Sequence, residues 1–266
     1  MIKPQLEAIL KRLDADHPLN LTHREIQLLL NQLGHTDAKI RDLLVYRIFT
    51  LAFKQNVLSN KQIREILNYI KEHKLLYFEI DKNGDGVFTR SFTSLLLALI
   101  LYSKRLDREF FESGELRFLM NEMVLYYNKE KDYRGFVDGK GWAHSLAHGA
   151  DVFDELVQYP DLSLEDLNII VDCLLEKVVS VNESLIFGEE ERIGTVFQSL
   201  IHHYPGYENQ LITKLTQAFV SQKKLQNKKD FWINLYLRRR LTIYLLSNHT
   251  LSPSFHKALK EIMKNL

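Results

Sequence analysis

Two histidines four residues apart, with a carboxylate three residues further on, are the groups in this chain best suited to chemistry: His144, His148 and Asp151. On a helix this spacing brings all three side chains to one face. Imidazole and carboxylate ligands so placed can share a divalent metal ion. Glu155 continues the same face, while Leu146, Ala150, Phe153 and Val157 fall opposite, so the expected polar stripe points away from the packing face. Ser145 stands where an HExxH zinc protease carries its general base, so that class is excluded. The plainer reading of the stripe is a solvated helix face.

The residues just before it are dense in charge and glycine. Asp132, Arg134, Asp138 and Lys140 alternate with Gly135, Gly139 and Gly141. A helix beginning at Trp142 would aim unpaired backbone N–H groups at this loop. Arg134 and Lys140 could then hold a carboxylate or phosphate. The competing reading is structural, with the acids capping helix ends and pairing with the bases. The candidate ligand-binding set is Asp132, Arg134, Asp138, Lys140, Trp142, His144, His148 and Asp151. The candidate metal set is His144, His148 and Asp151. Neither set defines a reaction, and no residue is assigned a catalytic role.

Other motifs are weaker. Asp81, Asn83, Asp85 and Gly86 match the first half of a calcium loop, yet Phe92 occupies the position of the bidentate glutamate. A turn between two helices explains the same residues. The lone cysteine, Cys173, lies in an apolar run, which excludes an internal disulfide and a Cys-rich zinc site and points to a core position. His202 and His203 close a helix, where they suit the C-terminal dipole. Of Arg238, Arg239 and Arg240, at least one must lie near an apolar face, and pairing with the acids at 189–191 is expected. No aromatic platform or wider basic stripe is evident beside them, so nucleic acid is not an expected partner.

The elements that must position these groups are helical. Five prolines and eleven glycines in 266 residues leave long segments with apolar residues at helical spacing. The expected helices cover Met1–Asp14, Thr22–Gly34, Asp37–Lys54, Ser59–His73 and a stretch from Thr89 or Ser91 to Tyr102. Next come Asp107–Asn128 with a weak point at Gly114, Trp142–Tyr159, Ser163–Val181 and Glu189–His203. Tyr207–Gln222, Lys229–Ser247 and a last helix opened by Ser252 and Pro253 complete the set. Thr22 with Glu25, Ser59 with Gln62, and Ser163 with Asp166 read as reciprocal N-terminal caps. From Trp142 onward the helices fall into pairs at a period like that of HEAT and armadillo repeats. The expected architecture is therefore a single all-α domain over residues 1–266, an irregular helical-repeat solenoid, with a globular bundle as the alternative.

Composition narrows the class further. With 35 basic and 34 acidic residues, the net charge is +1, so no global field draws in nucleic acid or anionic lipid. The longest apolar stretch, Ser94–Tyr102, is too short for a membrane span. The N-terminal residues lack the apolar core of a secretory signal, and a cytoplasmic location is expected.

The string RGFVDGKGWAHSLAHGAD, together with FTRSF at 88–92 and FGEEERI at 187–193, resembles an uncharacterised bacterial all-helical family known as a domain of unknown function. The resemblance covers most of the chain and brings no activity with it. It implies family positions at Arg90, Asp132, Arg134, Gly135, Gly141, Trp142, His144, His148, Asp151, Glu191 and Arg192. Two functions follow as expectations. The first is binding of a peptide, protein or small anionic ligand in a groove around residues 132–155. The second is a metal-dependent hydrolase built on His144, His148 and Asp151, with a divalent metal as its cofactor.

Overall fold

A computed structural model describes residues 2–15, 20–107, 109–220 and 228–266. The fold is almost wholly helical, with one two-stranded antiparallel sheet. Its elements fall into two compact units: residues 1–111 with 130–148, and residues 112–129 with 149–266. The chain therefore leaves the first unit, returns to it and leaves again.

In the first unit, α1 (Ile2–Leu13) and α2 (His23–Asn31) precede a short helical turn, α3 (Ala38–Ile40). A π-helical turn, Arg41–Tyr46, runs from α3 into α4 (Arg47–Lys54), and α5 is Asn60–Glu72. The Thr22 and Ser59 caps form as expected, each with its reciprocal side chain, Glu25 or Gln62. They satisfy N–H groups that a helix start otherwise leaves orphaned.

Helix α6 spans Gly86–Lys104 and begins three residues before the earlier of its expected starts, with Asp85 in front of it. The extension makes α6 long and apolar enough to cross a membrane, which the stretch Ser94–Tyr102 alone is not; 72% of that window is buried inside the structure. Phe88, Phe92, Leu96, Leu97, Ile100 and Leu101 are all core residues, so α6 serves as the central strut of its unit. It packs on α4 and on the 3-10 turn Leu75–Tyr77.

The second unit holds α7 (Glu115–Lys129), which starts just after Gly114, the expected weak point, at φ 84°; Asp107 and residues 109–114, expected to be helical, lie outside any helix. Helix α8 is Ser145–Leu156, of which residues 149–156 belong to this unit. Then follow α9 (Leu164–Ser180), α10 (Glu189–His203), α11 (Glu208–Val220), α12 (Lys228–Ser247) and α13 (Pro253–Asn265). Met1, Arg108, Ser221 and Gln222, which fall inside expected helices, lie outside the described residues. The Ser163 box and the Ser252 cap are both present. Helix α7 packs on α9, α9 on α11 and α11 on α13, while α10 packs on α12.

The three consecutive arginines of α12 have three different surroundings. Arg238 is buried and donates to the carbonyls of Phe219 and Asn234; burial pulls its guanidinium below its ordinary value. Arg240 pairs with the buried Glu190 and donates to the Leu185 carbonyl, so the expected pairing with the acids at 189–191 is realised. Arg239 is exposed. Cys173 is a core residue whose thiol is pushed up to about 12 by burial, which leaves it protonated and unreactive at neutral pH.

In the first unit, Arg12 grips Glu25 through two hydrogen bonds of 2.8 and 2.9 Å. Burial raises the Glu25 carboxyl, but the bonds from Arg12 and Thr22 outweigh it and hold the group below its usual range. A depressed carboxylate contributes stability above its unfolded pKa and loses it as pH falls through the folded value. Arg12→Gln should therefore destabilise the protein at neutral pH. Its deficit against the native chain in urea unfolding should shrink as pH drops through the carboxylate range.

Candidate functional site

The loop singled out by its charges is a β-hairpin. Strand β1 (Phe136–Val137) pairs with β2 (Gly141–Trp142), Phe136 opposite Trp142 and Val137 opposite Gly141. Asp138 and Gly139 form the turn, with Gly139 at φ 72° and the Lys140 amide donating back to the Val137 carbonyl. An Asp-Gly pair between short apolar stretches is a strong hairpin signal, although the charges and glycines here read as a loop. The pairing continues past the strands, since the amides of Ala143 and His144 donate to the carbonyls of Gly135 and Arg134.

Trp142 is therefore in a strand, and no helix begins there. Helix α8 starts at Ser145, and His144 precedes it at φ 52°, a left-handed conformation. That conformation is costly for a side chain larger than glycine. It breaks the single helix wheel on which His144 and His148 were aligned. The face carrying His148, Asp151 and Glu155 is also not solvated: His148 is buried, and Asp151 and Glu155 are half-buried. Most of α8 is covered on all sides, so a wheel with one apolar face does not describe it.

Most of the predicted site residues have a definite neighbour. The Arg134 guanidinium chelates Asp132 at 2.7–3.1 Å and donates to the Gly84 carbonyl at 2.5 Å. The hydrogen bonds that it donates to Asp132 raise its pKa, against the effect of burial, with the charges of Asp132, Asp85 and Glu130 adding to the rise. Lys140 Nζ lies 2.6 Å from Asp85, whose other oxygen is 3.7 Å from Arg134. Asp85, a would-be calcium ligand, thus serves the two bases of the hairpin. Two carboxylates and two cations balance here. Asp138 is exposed at the turn. In the second unit, Asp151 accepts from Arg192 at 3.1 Å.

His148 is held by a residue that the sequence analysis passed over. Its Nδ1 is 2.7 Å from Ser91 Oγ, and the same hydroxyl donates to the Ala143 carbonyl. A serine has one proton to give. The hydroxyl therefore lies between the imidazole and the Ala143 carbonyl and can donate to only one of them at a time. Among the described residues, no three His, Cys, Asp or Glu side chains are grouped so as to hold a metal ion.

Two arginines fasten the hairpin from below, and only one of them, Arg90, was anticipated. Arg90 and Glu130 form a bidentate ion pair at 2.7 and 2.8 Å, with side chains 2% and 1% exposed. Glu130 also accepts from the amides of Lys131 and Asp132, and Arg90 from its side donates to the Phe78 carbonyl. Arg41, fully buried, donates to the carbonyls of His35, Lys140 and Trp142. Its guanidinium lies over the rings of Phe88 and Phe92 at 4.3 and 4.7 Å. Burial lowers its pKa against the pull of Asp42 and Asp37. Nothing local in the sequence marks Arg41 as a hairpin clamp, because the hairpin carbonyls that it binds lie 99 and 101 residues away.

Above these clamps the hairpin shows an aromatic face. Phe136 is 47% exposed and Trp142 is 39% exposed, with ring centroids 5.1 Å apart, edge to face. His144 stacks on Trp142 at 4.6 Å with 26° between the planes. The left-handed turn at His144 is what lays the imidazole against the indole.

Fold and site together define an all-helical protein that carries one clamped, aromatic hairpin. The chain belongs to the family described as a protein of unknown function (DUF2785), whose model matches residues 76–246 and so includes α6, the hairpin and α8. No curated protein and no solved structure matches the chain.

Two substitutions test the clamp. Arg90→Leu leaves Glu130 as an uncompensated buried charge, and unfolding by urea should show a loss of about 3–5 kcal/mol. Gly141 sits at φ 78°, and a Cβ there would lie 2.7 Å from the Ala38 Cβ. Gly141→Ala should therefore lower stability by about 1–3 kcal/mol through strain and crowding.

Proposed function

We propose that this protein is a binding module that takes a peptide or protein segment on the hairpin face of Phe136, Trp142 and His144. One observation carries the reading: two large aromatic rings stand exposed on an element whose underside is fastened by two buried arginines. Stability does not require a half-exposed Trp–Phe–His stack on a hairpin, whereas recognition uses rigid aromatic side chains as anchors. The clamp supplies preorganisation, so little conformational entropy is lost on binding. Asp132, Arg134, Asp138 and Lys140 form a charged rim to the aromatic face. Because Asp132 and Asp85 neutralise Arg134 and Lys140, a small anionic ligand has less to gain there than a segment with an apolar side chain.

We further read the second unit as an irregular HEAT- or armadillo-like array. Its support is the packing of each odd-numbered helix from α7 to α13 on the next, with α10 on α12, the pattern that stacked helix pairs produce. A cytoplasmic setting fits the free, buried thiol of Cys173.

Panning a random peptide library against the intact protein tests the binding reading. Enriched peptides should bind the Phe136→Ala/Trp142→Ala variant at least tenfold more weakly, in line with the roughly 2 kcal/mol or more carried by an aromatic anchor. Circular dichroism should show the variant still folded. Equal affinity for both proteins would sink the reading. A zinc- or manganese-dependent rise in melting temperature, lost in His148→Ala, would instead favour the metal-dependent hydrolase built on His144, His148 and Asp151.

A further inference from the structure

Helix α12 carries a second exposed face, in the second unit and separate from the hairpin. Trp232, Tyr236 and Ile243 are 53%, 63% and 58% exposed. Their spacing of four and seven residues puts them on one side of the helix, and Arg239 lies between them on the same side. Lys228 and Lys229 begin that side at the helix N-terminus; all three cations are exposed and make no ion pair with a described residue. The opposite side is the packed one, through Asn234, Arg238, Leu241 and Leu245. Asp230, the acid of the first turn, falls on that opposite side by helical spacing.

We propose that this face docks on an anionic lipid surface, as a peripheral contact with α12 lying in the plane of the headgroups. Three features of the face select that occupant. Aromatic and aliphatic side chains alternating with lysine and arginine are the composition of helices that lie at a bilayer interface, where indole and phenol rings sit at headgroup level. The unpaired charges are all positive, which complements an anionic leaflet and would set two copies of this chain against each other. The apolar residues each keep more than half of their surface in solvent, so they stand on a ridge rather than line a groove. A ridge meets a flat surface well, while an extended peptide is bound in a groove or at a sheet edge.

The net charge of +1 conceals this feature, because a total does not record how charge is distributed over the surface. Each basic residue near an anionic surface contributes roughly fivefold in affinity, so three contribute on the order of a hundredfold.

The test is co-sedimentation of the full-length protein with phosphatidylcholine vesicles, made with and without phosphatidylglycerol. Binding is expected to the anionic vesicles alone and to weaken with added salt. Lys228→Glu/Lys229→Glu/Arg239→Glu should abolish it. Trp232→Ser/Tyr236→Ser should weaken it at least tenfold, with an unchanged circular dichroism spectrum in both variants. In a Trp142→Phe background, Trp232 emission should shift to the blue on vesicle addition. Emission and sedimentation that vesicles leave unchanged would overturn the proposal. So would a dimer in solution that Trp232→Ser/Tyr236→Ser turns into a monomer, which would assign the face to a second copy. Retention of a single-stranded oligonucleotide or an acidic peptide, with vesicles ignored, would overturn it as well.

Discussion

The buried ion pair of Arg90 and Glu130 is the contact on which the candidate site depends. A charge removed from water is tolerated only when its partner and its remaining hydrogen bonds are complete. Here they are. The carboxylate takes the guanidinium bidentately and two backbone amides besides, and the guanidinium reaches the Phe78 carbonyl as well. Such a pair leaves little freedom in how the chain after α7 meets α6. Because Glu130 opens the segment leading to the hairpin, fixing its carboxylate also fixes the start of Lys131 and Asp132.

Arg41 repeats the principle at the other end of the hairpin. Its guanidinium bridges the carbonyls of Lys140 and Trp142 while lying over two phenylalanine rings. The planar fork of arginine suits both tasks, whereas an ammonium would suit neither as well. The close approach also explains Gly141, where a side chain would meet Ala38. The hairpin is thus held by buried arginines while its Phe136 and Trp142 rings stay part-exposed.

Charge groups that look reactive in a list of residues are here largely spoken for by one another. Asp132 chelates Arg134, Asp85 meets Lys140, Asp151 meets Arg192, and His148 Nδ1 meets a serine hydroxyl that also reaches the Ala143 carbonyl. The density of polar side chains in residues 132–155 reflects the number of backbone and side-chain partners needed to hold a glycine-rich turn against helices.

The sequence by itself determined most of the helices and, where a side chain caps them, their starts. The caps at Thr22, Ser59, Ser163 and Ser252, and the span Glu189–His203, were legible because capping and helical periodicity involve residues three or four apart. The Arg240–Glu190 pairing was legible because three consecutive arginines cannot all avoid a packed face. Tertiary structure decided the rest. It made Gly141–Trp142 a strand, turned His144 left-handed, covered the polar side of α8, and gave His148 a partner 57 residues away in Ser91. It also placed Arg239 beside Trp232 and Tyr236 on an open face while burying its neighbour Arg238. These outcomes depend on which segments meet in space, and burial and hydrogen bonding between distant residues leave no periodic trace along the chain.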